Sequence, residues 1–195
     1  MRRASTAVLL TCAAIGVAGG IMLIPANWIS TVLFAAMPFA AVAIAGLWLL
    51  PAVVALRLLQ RPLVGILVGV VSGLVAVPFS GYGFGSVATN VWWALFAELP
   101  FLLVLYRYWG TWLHYAGAVV VSVVYPVLAW VSFDLGSLPL GLQIAFFALI
   151  AASTLGATAL GILIADRLRA AGVARVARRR PKAKERAEGQ RLPAS

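Results

Sequence analysis

The chain has 195 residues, 64% hydrophobic and 10% charged, with a mean hydropathy of +1.04. Soluble domains carry about 25% charged residues, so a water-soluble globule is excluded and an all-α integral membrane protein is indicated. The net charge of +10 is lopsided: residues 167–195 hold ten Lys/Arg against Glu185 and Glu188, a net +8, and residues 1–166 only +2.

No charge occurs between Arg3 and Arg57, room for two spans of about 20 residues each. Pro25-Ala26-Asn27 predicts the break, giving a first span over about 4–24 and a second over about 28–57. The second is overlong and contains Pro38 and Pro51, which predicts tilting, kinking or splitting. After Arg61-Pro62 a third span runs over about 63–79, ending at Pro78. Gly81, Gly83 and Gly85 then mark a loop, mobile enough to act as a lid. Spans four to six fall at about 88–106, 112–133 and 140–166.

Arg2/Arg3, Arg57/Arg61, Arg107 and the basic tail fall on alternate connections, while the others lack Lys and Arg. Six transmembrane helices with both termini cytoplasmic follow from this asymmetry. The chain divides into a transmembrane domain, 1–166, and a basic cytoplasmic tail, 167–195, expected to be disordered. That tail reads as an anchor to anionic lipids; nucleic acid is not implied. Cys12 is the single cysteine, which excludes an internal disulfide and any cysteine-rich metal site.

Small residues recur at helical spacing in three spans: Cys12/Gly16/Gly20, Gly65/Gly69/Gly73 and Ala157/Gly161/Ala165. Such stripes let helix backbones approach closely. Packing within the bundle accounts for them, or the stripe on the first span docks another membrane subunit.

Nothing reads as an enzyme. The one histidine, His114, has no carboxylate or cysteine at ligand spacing, and no phosphate-binding loop is present. No metal site or cofactor is implied. The informative residue is Glu98, placed mid-way along the predicted fourth span. A carboxylate there is expensive. It calls for a neutral, hydrogen-bonded carboxyl, or for a cavity in which a cationic ligand supplies the missing charge. At about 100° per residue, Ala94 and Phe101 share its face and Asn90 lies about 80° away. Trp92 and Trp93 point about 120–140° away and read as an outer aromatic belt. Tyr125 and Trp130 on span five, Gln143 on span six, and Tyr82 and Phe84 in the glycine loop are further candidates to surround a flat, aromatic or cationic solute.

A family resemblance rests on Gly46-Leu47-Trp48, the turn Gln60-Arg61-Pro62, the Gly81/Gly83/Gly85 loop, Ala97-Glu98-Leu99-Pro100-Phe101 and Tyr106-Arg107-Tyr108-Trp109. In this order the chain resembles substrate-binding S components of energy-coupling-factor (ECF) transporters, and among them the YkoE type associated with thiamine and hydroxymethylpyrimidine. The resemblance implies a non-enzymatic vitamin binder working with a transmembrane coupling subunit and two ATPase subunits. Glu98 matches the family's span-four carboxylate, and Cys12, Gly16 and Gly20 become the docking stripe. Two positions depart from the pattern. Leu63 stands where glycine is frequent, and Ala76-Val77-Pro78 stands where an acidic residue is frequent. The missing acid leaves an uncharged pyrimidine or another flat nutrient open. The alternative from another class is a membrane scaffold or assembly protein, with Glu98 a packing carboxyl.

Overall fold

The computed structural model describes residues 6–173. Its regular elements in that range are helices: α1 (Thr6–Ala36), α2 (Pro38–Ala43), α3 (Leu50–Leu59), α4 (Val64–Ala76), α5 (Gly85–Leu103), α6 (Thr111–Leu128) and α7 (Leu140–Ala170). Five segments are long and apolar enough to cross a membrane, α2 and α3 counting as one, Pro38–Leu59. A shorter apolar segment, Val64–Phe79, makes a sixth. Charges segregate: Arg57, Arg61, Arg107, Arg167 and Arg169 lie at one end, the arginine end, and Asp134 is the one charged residue described at the other. Arg2, Arg3 and residues 174–195 of the basic tail lie outside the described residues. The tail's first positions, 167–170, continue α7 as helix.

The predicted break at Pro25-Ala26-Asn27 is not observed. Pro25 lies inside a continuous α1, and the chain turns instead at Met37. Proline is tolerated within membrane helices when nearby groups satisfy the backbone. The carbonyl left without its helical partner by Pro25 is that of Ile21, one turn earlier in α1. The residue before a proline is pushed out of helical geometry, and Met37, preceding Pro38, sits at φ −146°.

The expected irregularity of the second span is a true split. Between α2 and α3 the chain runs as a short 3-10 stretch, Ala45–Leu49. Ser153 of α7 bridges the break, accepting from Gly46 N–H at 2.9 Å and donating to Ala43 O at 2.7 Å. A β-carbon on Gly46 would stand 2.2 Å from Ser153 O, so only glycine admits this contact. Beyond the split, α3 is buried along nearly its whole length between its neighbours.

On α4 the small-residue face is consumed by packing. Gly65, Gly69 and Gly73 lie against α5 at Glu98, Ala94 and Val87. The stripe expected to dock a partner is also internal, which corrects that assignment. Cys12 is fully buried, and Gly16 and Gly20 abut Val71 and Val75 of α4. Their lack of side chains brings two helices of this chain together, leaving no free surface at the stripe.

Glu98 caps α4 from outside the helix. The first turn of an α-helix exposes unpaired N–H groups and a partial positive charge, and Leu63, at the N-cap, has no side chain able to meet them. Glu98 Oε1 accepts from Leu63 N–H at 2.5 Å, and Oε2 from Ile66 N–H at 2.9 Å. The turn after α5 has Leu105 and Tyr106 at φ 52° and 56°, which returns the Tyr106 hydroxyl to within 3.0 Å of Oε1. The phenol donates this bond to the carboxylate. Leu63 itself sits at φ 63°, a geometry glycine adopts without penalty.

At the same end Arg57 makes a two-pronged pair with Asp166, Nε to Oδ1 at 3.0 Å and Nη2 to Oδ2 at 3.1 Å. Its Nη1 reaches Thr111 Oγ1 at 3.1 Å, and Arg169 donates to the Arg57 carbonyl. The group ties α3, α6 and α7 together where each meets the arginine end.

Two stability tests follow. Gly46→Ala should lower stability by about 1–3 kcal/mol through overpacking, read as thermal unfolding of the purified protein in detergent; an unchanged midpoint would show that α7 can yield there. Glu98→Ala leaves two partly buried N–H groups without their acceptor, at up to about 1–3 kcal/mol each. Glu98→Gln can accept only one of them, so its unfolding midpoint should fall between Ala and wild type.

Candidate functional site

At the end opposite the arginines the bundle encloses a cavity of about 240 Å³. Four stretches of chain surround it. Helix α1 supplies Asn27, Ser30 and Phe34, and the split segment supplies Ala41, Ala45 and Trp48. The loop before α5 and α5 itself bring Tyr82, Ser86, Thr89 and Trp93, and α6 brings Tyr125. Trp48 belongs to the 3-10 stretch, so the Ser153 bridge that repairs the split also holds this indole against the cavity. Its Nε1 is buried without a hydrogen-bond partner.

Aromatic faces dominate the lining. The Trp93 and Tyr125 rings are 5.2 Å apart with 35° between their planes, and Trp92 meets Trp93 edge-on at 5.1 Å. Phe34 stacks on Phe133 at 5.1 Å. At the mouth, Tyr82 OH lies 3.5 Å from Thr31 Oγ1, and Ser80 and Ser86 share a 2.5 Å hydroxyl contact. Among the described residues no carboxylate, imidazole, thiol, Lys or Arg lines the cavity. The surroundings are polar, aromatic and uncharged.

Of the residues selected from sequence, Tyr82 and Tyr125 line this cavity. The others do not. Glu98 is spent on the α4 cap, and it sits five residues nearer the arginine end than Trp93, so the expected ligand-facing carboxylate is corrected to a structural one. Ala94 fills the space left by Gly69, and Asn90 donates to Ser86 O at 2.8 Å within its own helix. Phe101 is fully buried, stacked on Trp109 and set edge-on to His114. Phe84 projects from the loop, 78% exposed. Trp130 and Gln143 line a separate open groove between α6 and α7, where Gln143 donates to Leu138 O at 2.8 Å.

The residues that sequence reasoning passed over are Asn27, Ser30, Phe34, Trp48, Ser86, Thr89 and Trp93. A signal existed for three of them. Trp93 lies about 140° around α5 from Glu98, and its face is the one the cavity uses. Trp48 ends the Gly46-Leu47-Trp48 motif. Asn27 follows the proline that predicts a break, and it lies inside the longer first helix.

Comparison with known proteins agrees with this architecture. A family profile described as "ABC-type cobalt transport system, permease component" matches residues 8–124. A solved structure titled "Crystal structure of an S-component of ECF transporter" superposes with a TM-score of 0.77 at 17% identity, covering 97% of this chain and 99% of that one. At that identity the likeness speaks for the fold. No curated protein matches the sequence. The profile spans more than half of the chain, from α1 into α6, and the protein therefore belongs to the family of permease components of ABC-type cobalt transport systems, multi-pass proteins of the bacterial plasma membrane and not enzymes.

Proposed function

We propose that the chain is the substrate-binding membrane subunit, or S component, of an ECF-type importer. It captures a small flat nitrogen heterocycle, thiamine or its hydroxymethylpyrimidine precursor, from outside. A transmembrane coupling subunit and a pair of ATPase subunits then drive release inward. The observation that carries this reading is the 240 Å³ aromatic cavity between α1, α5, α6 and a split helix. Ligand sites in membrane transporters are typically built at such interrupted helices, where irregular backbone is tolerated because it borders a cavity.

Orientation supports the same direction of capture. The arginine end is cytoplasmic by the positive-inside rule, so the cavity opens outward, with six crossings and both termini inside. The basic tail, outside the described residues, adds contact with anionic lipid on that side.

The family's description names cobalt, but the cavity suits a bare divalent cation poorly. Cobalt is bound by imidazole, carboxylate or thiolate groups, and the lining offers none. Among the described residues no group of three or more His, Cys, Asp or Glu could hold a metal ion. Stacking on Trp93, Tyr125 and Trp48 favours a planar ring, and cation–π contact accommodates a positive charge where the ring carries one.

Trp93 and Trp48 border the cavity, so intrinsic fluorescence reports its occupancy. Titration of the detergent-purified protein with thiamine or hydroxymethylpyrimidine should give saturable quenching, and cobalt(II) should not. Trp93→Leu should weaken the bound heterocycle about 3–10-fold through lost stacking. Glu98→Gln should leave affinity unchanged in the folded protein. Saturable cobalt binding without response to either heterocycle would refute this assignment.

A further inference from the structure

We propose that Asn27 and Ser30 on α1 read a hydrogen-bond-donating edge of the solute, so that the cavity selects a flat ring bearing an exocyclic amino group over the same ring without it. This rests on the importer reading above, and it comes from how the polar atoms around the cavity are already committed.

Asn27 is only 7% exposed, and it lines the cavity. Its Nδ2 donates to Leu23 O at 2.9 Å. A carbonyl oxygen only accepts, which fixes the amide with its nitrogen toward the helix and its Oδ1 on the other side. Among the described residues Oδ1 has no hydrogen-bond partner. Ser30 is similarly committed: its hydroxyl donates to Asn27 O at 2.9 Å, leaving only lone pairs for the cavity. Thr31 donates to the same carbonyl at 2.8 Å. The α1 wall therefore presents the Asn27 Oδ1 and the hydroxyl lone pairs as acceptors, and the second Nδ2 hydrogen is the one donor left to it.

The opposite walls differ. Tyr125, Tyr82 and Thr89 carry hydroxyls that both donate and accept. A ring lying against Trp93 and Tyr125 then places its N–H edge on α1 and its ring nitrogens toward the hydroxyls. Charge is not what is recognised, because the lining supplies none. A ligand lacking the donor desolvates Asn27 Oδ1 without replacing the lost hydrogen bond, which sets the direction of selectivity.

The test uses the full chain in detergent. Affinities are measured by tryptophan quenching for hydroxymethylpyrimidine with its amino group and for the same ring with hydrogen in its place. In wild type the amino ring should bind about tenfold or more tightly. Asn27→Ala should reduce that preference to near unity, weakening the amino ring and sparing the amino-free ring the cost of desolvating Oδ1. Ser30→Ala, which leaves the Asn27–Leu23 bond in place, should reduce it in part and guards against misfolding of the first variant. Equal binding of the two rings by wild type, or a preference that survives both substitutions, overturns the proposal and leaves the importer reading standing. No binding of either ring or of thiamine, by protein shown to be folded, removes the importer reading and this proposal with it.

Discussion

A backbone group in hydrocarbon has no water to turn to, so every interruption of a helix must be repaired by another part of the protein. This chain interrupts its helices where it needs an unusual shape, and in two places the repair comes from a side chain on a different helix. Ser153 of α7 serves both strands of the break between α2 and α3, as acceptor to Gly46 and donor to Ala43. Glu98 of α5 serves the uncapped start of α4. The first repair lets Trp48 turn toward a cavity, and the second fixes α4 against α5. Neither works without the glycine beside it, since Gly46 admits Ser153 and Gly65 admits the Glu98 carboxylate.

These repairs divide the molecule into two ends of different chemistry. The arginine end holds several of its charges in pairs and caps: Arg57 with Asp166, Arg169 with the Arg57 carbonyl, and Glu98 with two amides and a phenol. The cavity at the other end is lined by hydroxyls and one amide, and its large side chains are rings. A buried charge costs several kcal/mol unless paired, and the cavity avoids that cost by having none. What the cavity offers a ligand is shape, ring faces and directed hydrogen-bonding groups.

The sequence made the helical scaffold legible because bilayer crossing imposes length and apolarity directly. The third segment matches closely, Val64–Phe79 against an expected 63–79, and the arginines do segregate to one end. The first boundary was misplaced because a proline read as a stop is only an irregularity when the helix around it is packed. Leu23 and Ala26, which flank Pro25, are buried. The departure at Leu63 also becomes intelligible, for its φ of 63° is where a glycine would sit at ease. The site was much less visible. Asn27, Trp48 and Trp93 come together through the split and through the pairing of α1 with α4, and neither leaves a periodic signal.

The misreading of Glu98 has a physical lesson. An acidic residue inside an apolar segment invites a functional role because the carboxylate must be compensated. Compensation by a ligand and compensation by a helix N-terminus look the same in sequence, since backbone amides are available everywhere and carry no residue signature. What distinguishes them is depth and partners. Trp93 and Glu98 are five residues apart on α5, about 7.5 Å along the axis, so one rigid helix presents a ring to the cavity and a carboxylate to the α4 cap. Any movement of α5 that widened the cavity would therefore strain the Glu98 bonds to Leu63 and Ile66. The carboxylate holds α5 against α4 and takes no part in lining the cavity.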